Sequence, residues 1–126
     1  MMGGNLRIFK TKWFMRFARD ERIIDESLCQ AIERAELGIV DADLGGGVIK
    51  QRVARPGQGR SRGYRMLIAY HAGDRAVFLY GFAKKERENI GDDELATLRE
   101  IAAAWLQADE ERLTNAILEG TLEETI

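Results

Sequence analysis

The sequence predicts an α+β domain: an N-terminal helical hairpin packed on an antiparallel sheet, followed by a C-terminal helix. Two amphipathic stretches come first, with apolar residues at three- and four-residue spacing. Three strand-like runs follow on short polar connections, and consecutive strands joined that way pair antiparallel. A long periodic stretch then gives the order β-α-α-β-β-β-α. At 126 residues the chain has the length of one domain with one modest core.

The elements follow in order. Asn5–Lys10 (NLRIFK) reads as a short strand. Between Lys12 and Glu21, Trp13, Phe14, Phe17 and Ala18 recur at helical spacing. Ile23 and Ile24 fall in a turn, and Asp25 suits the N-cap of a second helix. Leu28, Ala31, Ile32 and Ala35 form its inner stripe, and Gly38 suits its stop. DADLGGG reads as a loop. In VIKQRVA (Val48–Ala54), Ile49 and Val53 alternate with Lys50 and Arg52, the period of a strand with one wet face. The basic loop RPGQGRSRG carries the single proline, Pro56. YRMLIAY (Tyr64–Tyr70) is apolar on both faces and so reads as a central strand. HAGD makes a hairpin turn into RAVFLYGF, Arg75–Phe82. Asp92 is a second N-cap candidate, with Asp93 and Glu94 near the positive helix end. Leu95, Leu98, Ala102 and Trp105 stripe the last long helix.

Charge separates along the chain. Between Lys50 and Glu88, ten lysines and arginines stand against Asp74, Glu86 and Glu88, a net of +7. From Gly91 onward, Arg99 and Arg112 face ten carboxylates, a net of −8. A focused cationic patch attracts a polyanion whatever the total charge, and here the total is −2. Lys50 and Arg52 project from one face of their strand. Arg65 sits on the adjacent strand among apolar neighbours, where a charge needs an anion or a strong acceptor. Lys84 and Lys85 end the next strand, and strand alternation places them on opposite sides. Three strands therefore bring cations toward one region, able to hold a phosphodiester and to stabilise a pentacovalent phosphorane. RNA carries its own nucleophile, the 2′-hydroxyl, so positioning and charge suffice for its cleavage.

Other chemistries find little support. One Cys29 and one His71 leave nothing for a disulfide or a multi-cysteine zinc site. Neither GGG nor PGQGRSRG has the spacing of a nucleotide P-loop. No apolar run approaches 18 residues and the first ten residues lack a signal-peptide core, so a cytoplasmic location with no membrane partner is the expectation.

Three segments together resemble the RelE superfamily of toxins from type II toxin–antitoxin pairs, in its HigB-like branch. They are FKTKWFMRFARDE, DADLGGGVIKQRVARPGQGRSRGYRMLIAY and RAVFLYGFAKKERENI, so the likeness runs from about Ile8 to Trp105. The resemblance implies residues 1–107 as a RelE-like toxin domain; it does not cover residues 108–126, which read as an acidic C-terminal helical extension that is an exposed amphipathic helix, a lid over the basic cleft or a dimer contact. It implies ribosome-dependent endonucleolytic cleavage of mRNA, without metal or organic cofactor, relieved by a cognate antitoxin of helix-turn-helix type. The catalytic positions it points to are Arg52, Arg65, Lys84 and Lys85. Lys50, Arg55, Arg60, Arg62, His71 and Tyr80 are the expected RNA contacts. Several relatives carry a tyrosine or histidine where this chain has Asn89, Ile90 and Gly91; Tyr64, Tyr70, His71, Tyr80 or a group of the ribosome are the candidate substitutes. Two other functions share the resemblance: a ParE-like gyrase poison, and a non-catalytic module that binds RNA or antitoxin.

Overall fold

The computed structural model describes residues 6–55, 63–84 and 90–125. Ten elements follow one another: β1 (Arg7–Thr11), α1 (Lys12–Asp20), α2 (Asp25–Glu36), β2 (Ala42–Gly45), β3 (Val48–Val53), β4 (Tyr64–His71), β5 (Arg75–Ala83), α3 (Asp92–Gln107), α4 (Glu110–Glu119) and β6 (Leu122–Thr125). The strands form one sheet in the order β2-β3-β4-β5-β1-β6. This is the α+β class the sequence predicts, with the helical hairpin on one face and α3 on the other.

The sheet departs from expectation in three ways. It is mixed, because β1 runs parallel to β5, with Arg7 opposite Arg75 and Lys10 opposite Phe78. The glycine-rich stretch read as a loop contains β2 and the turn that folds it onto β3. Gly45, Gly46 and Gly47 all have positive φ, and the Arg99 side chain lies where a Cβ on Gly46 would come within 2.8 Å. Those glycines make room for a neighbouring helix. Finally, the acidic tail ends in β6, which pairs antiparallel with β1. Its short Leu-Glu-Glu-Thr run gave no alternating pattern long enough to recognise.

Two apolar clusters sandwich the sheet. On the hairpin side, Phe14, Ala18, Leu28, Ala31, Ile32 and Ala35 pack on Ile49, Val53, Tyr64, Met66, Ile68 and Phe78. On the other side, Leu98 and Ala102 of α3 and Leu113 and Ala116 of α4 pack on Phe9, Val48, Leu67, Ala69, Val77, Leu79 and Phe82. The segment beyond Gln107 is therefore part of this second core. It occupies the β1–β6 edge, across the sheet from β3, and does not lie over Lys50 and Arg52 as a lid.

Helix starts differ from expectation by one residue. Ile24 and Gly91 are the N-caps of α2 and α3, and Asp25 and Asp92 are the first helical residues. A carboxylate there still lies in the favourable field of the helix N-terminus. Glu94 Oε1 accepts from the Gly91 N–H at 2.9 Å and closes that end. Thr11 caps α1, its hydroxyl accepting from the Phe14 N–H at 3.2 Å. Gly38 follows the end of α2 with φ 83°, as its position suggests.

Candidate nucleic-acid interface

Four of the expected cations gather on the α3 side of the sheet, toward the ends of β3, β4 and β5. Arg52 lies directly opposite Arg65, and Arg65 directly opposite Phe82. One step along, Lys50 faces Leu67, and Leu67 faces Tyr80. The residues thus form two cross-strand rows on one face. Arg65 is 3% exposed, whereas Arg52 stands open to solvent and Lys50 is half-buried.

The backbone at Arg52 is fixed from behind. Its N–H donates to Asp41 Oδ2 at 2.7 Å, and its carbonyl accepts from the Arg34 guanidinium. Gln51, between Lys50 and Arg52, is fully buried on the hairpin side. Its amide donates to the carbonyls of Ala31 at 2.9 Å and Ile39 at 3.0 Å, and its Oε1 accepts from the Asp41 N–H at 2.9 Å. With those groups satisfied, Gln51 locks β3 to the end of α2 and turns its two basic neighbours toward the opposite face.

A β-bulge decides what β5 adds. The register shifts so that Leu67 faces Tyr80 while Ile68 faces Phe78, leaving Leu79 as the extra residue. Leu79 and Tyr80 then both lie on the α3 side, Gly81 turns toward α1, and Phe82 returns to the α3 side. Regular alternation from Phe78 would have put Tyr80 and Phe82 under the helical hairpin. The ladder continues one residue further, the Lys84 N–H donating to the Gly63 carbonyl at 3.1 Å. Alternation from Phe82 therefore carries Lys84 onto the face that holds Arg65. Gly81 makes the arrangement possible, since a Cβ there would come within 2.5 Å of Phe17.

Other expected positions are not brought to these rows. Arg55 stands on the hairpin side, its guanidinium 5.6 Å from the centre of the Tyr64 ring and 3.9 Å from Glu21. His71 closes the β4–β5 hairpin against Asp74 at 3.1 Å. It stands six residues along β4 from Arg65, roughly 20 Å away. Arg60, Arg62 and Lys85 lie outside the described residues. Arg75 donates to the Trp105 carbonyl at 2.7 Å and the Ala108 carbonyl at 2.9 Å, meeting the negative end of α3.

The tyrosines divide likewise. Tyr64 donates to Glu21 at 3.0 Å and Tyr70 to Glu36, both on the hairpin side. Burial, reinforced by those carboxylates, raises both phenol pKa values above the ordinary range, so they stay protonated. Of the aromatic candidates, Tyr80 joins the cations, its ring 6.1 Å from that of Phe82. Cys29 is inert by the same reasoning: burial and the carboxylates of Asp25, Glu33 and Glu26 push its thiol up, away from the reactive thiolate. Among the described residues no cluster of His, Cys, Asp and Glu side chains could hold a metal, and no helix is long and apolar enough to cross a membrane.

Residues 6–125 match the family model described as the RelE toxin of the RelE/RelB toxin–antitoxin system. The chain belongs to the RelE toxin family. Membership makes it the toxin member of a toxin–antitoxin pair, with an antitoxin as its partner. The match extends through α4 and β6, so the RelE family model includes the acidic segment as well as the sheet that carries the cations. A comparison with curated protein sequences gives no match.

Proposed function

We propose that this RelE-family toxin is an endoribonuclease of the HigB-like type that cleaves mRNA on the ribosome. The observation that carries the reading is the pair Arg52 and Arg65, set directly opposite each other on one face. Two guanidinium forks on one face suit the geometry of a phosphodiester. Lys84 adds a third positive charge at the end of β5, and Lys50 extends the row along the path of the strand.

In this reading the RNA 2′-hydroxyl passes its proton to solvent and attacks the adjacent phosphorus, and the 5′-oxygen of the next nucleotide departs with a proton from solvent, leaving a 2′,3′-cyclic phosphate. Arg52, Arg65 and Lys84 meet the negative charge that builds on the phosphorane, which is the step where fixed donors act most strongly. Lys50 holds the neighbouring phosphate. Lys50→Ala lowers the salt dependence of single-strand binding by roughly 0.7 for one lost phosphate contact.

Brief induction followed by primer extension on cellular mRNA tests the activity. The expected result is arrested growth with breaks confined to translated regions, reproduced by purified ribosomes and protein. Intact transcripts with gyrase-linked DNA breaks would place the protein with the gyrase poisons of the same fold. Intact transcripts and intact DNA would leave it a binding module.

A further inference from the structure

Beside the cationic rows lies a cleft of about 200 Å³, lined by Trp13, Tyr80, Glu94, Thr97, Leu98 and Ile101. Its origin is topological. β1 ends at Thr11, whose hydroxyl donates to the Leu79 carbonyl at 3.2 Å, and the chain turns into α1. Beyond that point β5 continues to Ala83, so the β1 side of Tyr80 is left open. Trp13, at the start of α1 and 64% exposed, stands at one side of the gap. Glu94, Thr97, Leu98 and Ile101 form an i, i+3, i+4, i+7 stripe of α3 along the other.

The cleft has the attributes of a site for a flat, partly polar group. Its walls are mostly apolar and two of them are aromatic. Its polar groups come from the first turns of α3, where Glu94 Oε1 accepts from the Gly91 N–H. The volume is below the usual range for drug-sized ligand pockets, roughly 300–1,000 Å³, and suits a single ring system. Position identifies the occupant further. Tyr80 is the cross-strand partner of Leu67, the next residue after Arg65 on the same face. A diagonal neighbour in a sheet lies about 7–8 Å away, comparable with the step from a phosphate to the base of its own nucleotide.

From this geometry we infer that the cleft is a nucleobase pocket. It receives the base next to the phosphate held by Arg52 and Arg65, with Trp13 and Tyr80 as its aromatic walls and Glu94 as its selecting group. A carboxylate accepts and cannot donate, so it favours guanine, whose adjacent N1–H and N2 amine are both donors, over adenine, cytosine and uracil, each of which sets an acceptor beside its donor. The inference rests on the proposed RNA substrate, and it explains how the chain would choose where to cut.

The test uses the full chain carrying Trp105→Phe, which leaves Trp13 as its single tryptophan. Its fluorescence is titrated at low salt with each of the four nucleoside 3′-monophosphates. Stacking is worth enough to predict quenching, with the guanosine nucleotide binding roughly tenfold or more tighter than the other three. Glu94→Gln keeps an acceptor for the Gly91 N–H and is expected to erase that difference. In parallel, Trp13→Ala and Glu94→Gln are assayed for the spectrum of cleavage sites on ribosome-bound mRNA. The pocket is supported if Glu94→Gln broadens the base preference of the cleavage that remains. Absence of quenching by all four nucleotides would overturn it, as would an unchanged site spectrum in both variants. Nucleotide binding without any mRNA cleavage would retain the pocket and count against the endonuclease reading instead.

Discussion

At the β1–β6 edge of the sheet, cations are tied down by carboxylates. Arg7 reaches Glu124 at 2.9 Å and Glu110 at 2.7 Å, and Lys10, with its side chain 9% exposed, lies between Asp25 at 2.9 Å and Glu123 at 2.8 Å. At the β3–β4–β5 end, Arg52 faces another arginine. Residue types are shared between the two places and their use is not. Where the adjoining strand and helices bring acids, the cations fasten β6 and α2 to β1. Where the adjoining strand brings another cation, Arg52 and Arg65 stand across from each other on one face of the sheet. The −8 segment supplies Glu110, Glu123 and Glu124 to the first place and the +7 segment supplies Arg52 and Arg65 to the second, whereas Arg7 and Lys10 belong to neither, so charge counted along the chain did not show which cations would meet carboxylates.

The largest effect that would break this contrast concerns Lys10. Asp25→Asn combined with Glu123→Gln leaves a buried ammonium without its countercharges, a loss of about 3–5 kcal/mol of stability. Lys10→Met, which removes the charge itself, is expected to be nearly neutral. Urea unfolding curves of the two variants make the comparison, and equal losses would show that Lys10 matters for its packing alone.

Arg65→Ala tests the other end. Removal of one transition-state donor slows cleavage by on the order of 10²–10³, about 2.7–4 kcal/mol, with a melting temperature within a few degrees of the parent. Cleavage on purified ribosomes and thermal melts decide it. An unfolded variant would assign Arg65 to the core.

Gly81→Ala probes the link between the core and the rows. The added methyl meets Phe17 at 2.5 Å, an overpacking cost of about 1–3 kcal/mol. Because the strand must shift beside Tyr80 and Phe82, cleavage is expected to fall along with stability. Phe17→Leu in the same chain should restore both, and recovery of stability without cleavage would separate the bulge from the activity.

The smallest effect is that of pH on the edge. The Arg7 hydrogen bond holds the Glu124 carboxyl below its usual pKa, against the opposing influence of burial. A lowered folded-state value means stability that is complete above the ordinary glutamate range, about pH 4.3, and lost as pH falls through the lowered value. The Arg7–Glu124 pair is about one-third exposed, so its contribution is roughly 0.2–1 kcal/mol. The stability gap between the parent and Arg7→Gln should therefore close on acidification from neutrality to about pH 3. A gap that stays constant would mean that Arg7 acts through its stacking on Phe9, 5.0 Å from the ring centre.

Much of the fold was legible because its elements obey short periods. The stripe Leu28, Ala31, Ile32 and Ala35 announces α2, and the alternation around Lys50 and Arg52 announces β3. Arg52 and Arg65 were legible as a pair because both occur in clear strands. Lys84 could not be distinguished from Lys85 by sequence, since the deciding feature is the bulge at Leu79. That bulge lies where β5 meets α1 and the end of β1, both distant from it in sequence. β6 was missed for a related reason: four residues become a strand by lying beside β1, not by a pattern of their own. Alternation puts Gln51 on the apolar face with Ile49 and Val53, and its burial there depends on the carbonyls of Ala31 in α2 and of Ile39 beyond it, which no local pattern shows. The wall formed by Trp13 and α3 had no local signal either, because Trp13 reads as a core residue of α1 and stands 64% exposed.

The parallel pairing of β1 has a kinetic consequence. β3, β4 and β5 succeed one another along the chain, so the strands carrying Arg52 and Arg65 can meet through short loop closures. β1 must wait for β5 and then for β6, and the Arg7–Glu124 bond spans 117 positions. Contacts of that separation are slow to form and tend to be made after the rate-limiting step. Interactions absent from the folding transition state govern the unfolding rate. The carboxylates around Arg7 and Lys10 thus act as a late latch: weakening them should accelerate the unfolding limb of a chevron plot and leave the refolding limb where it was.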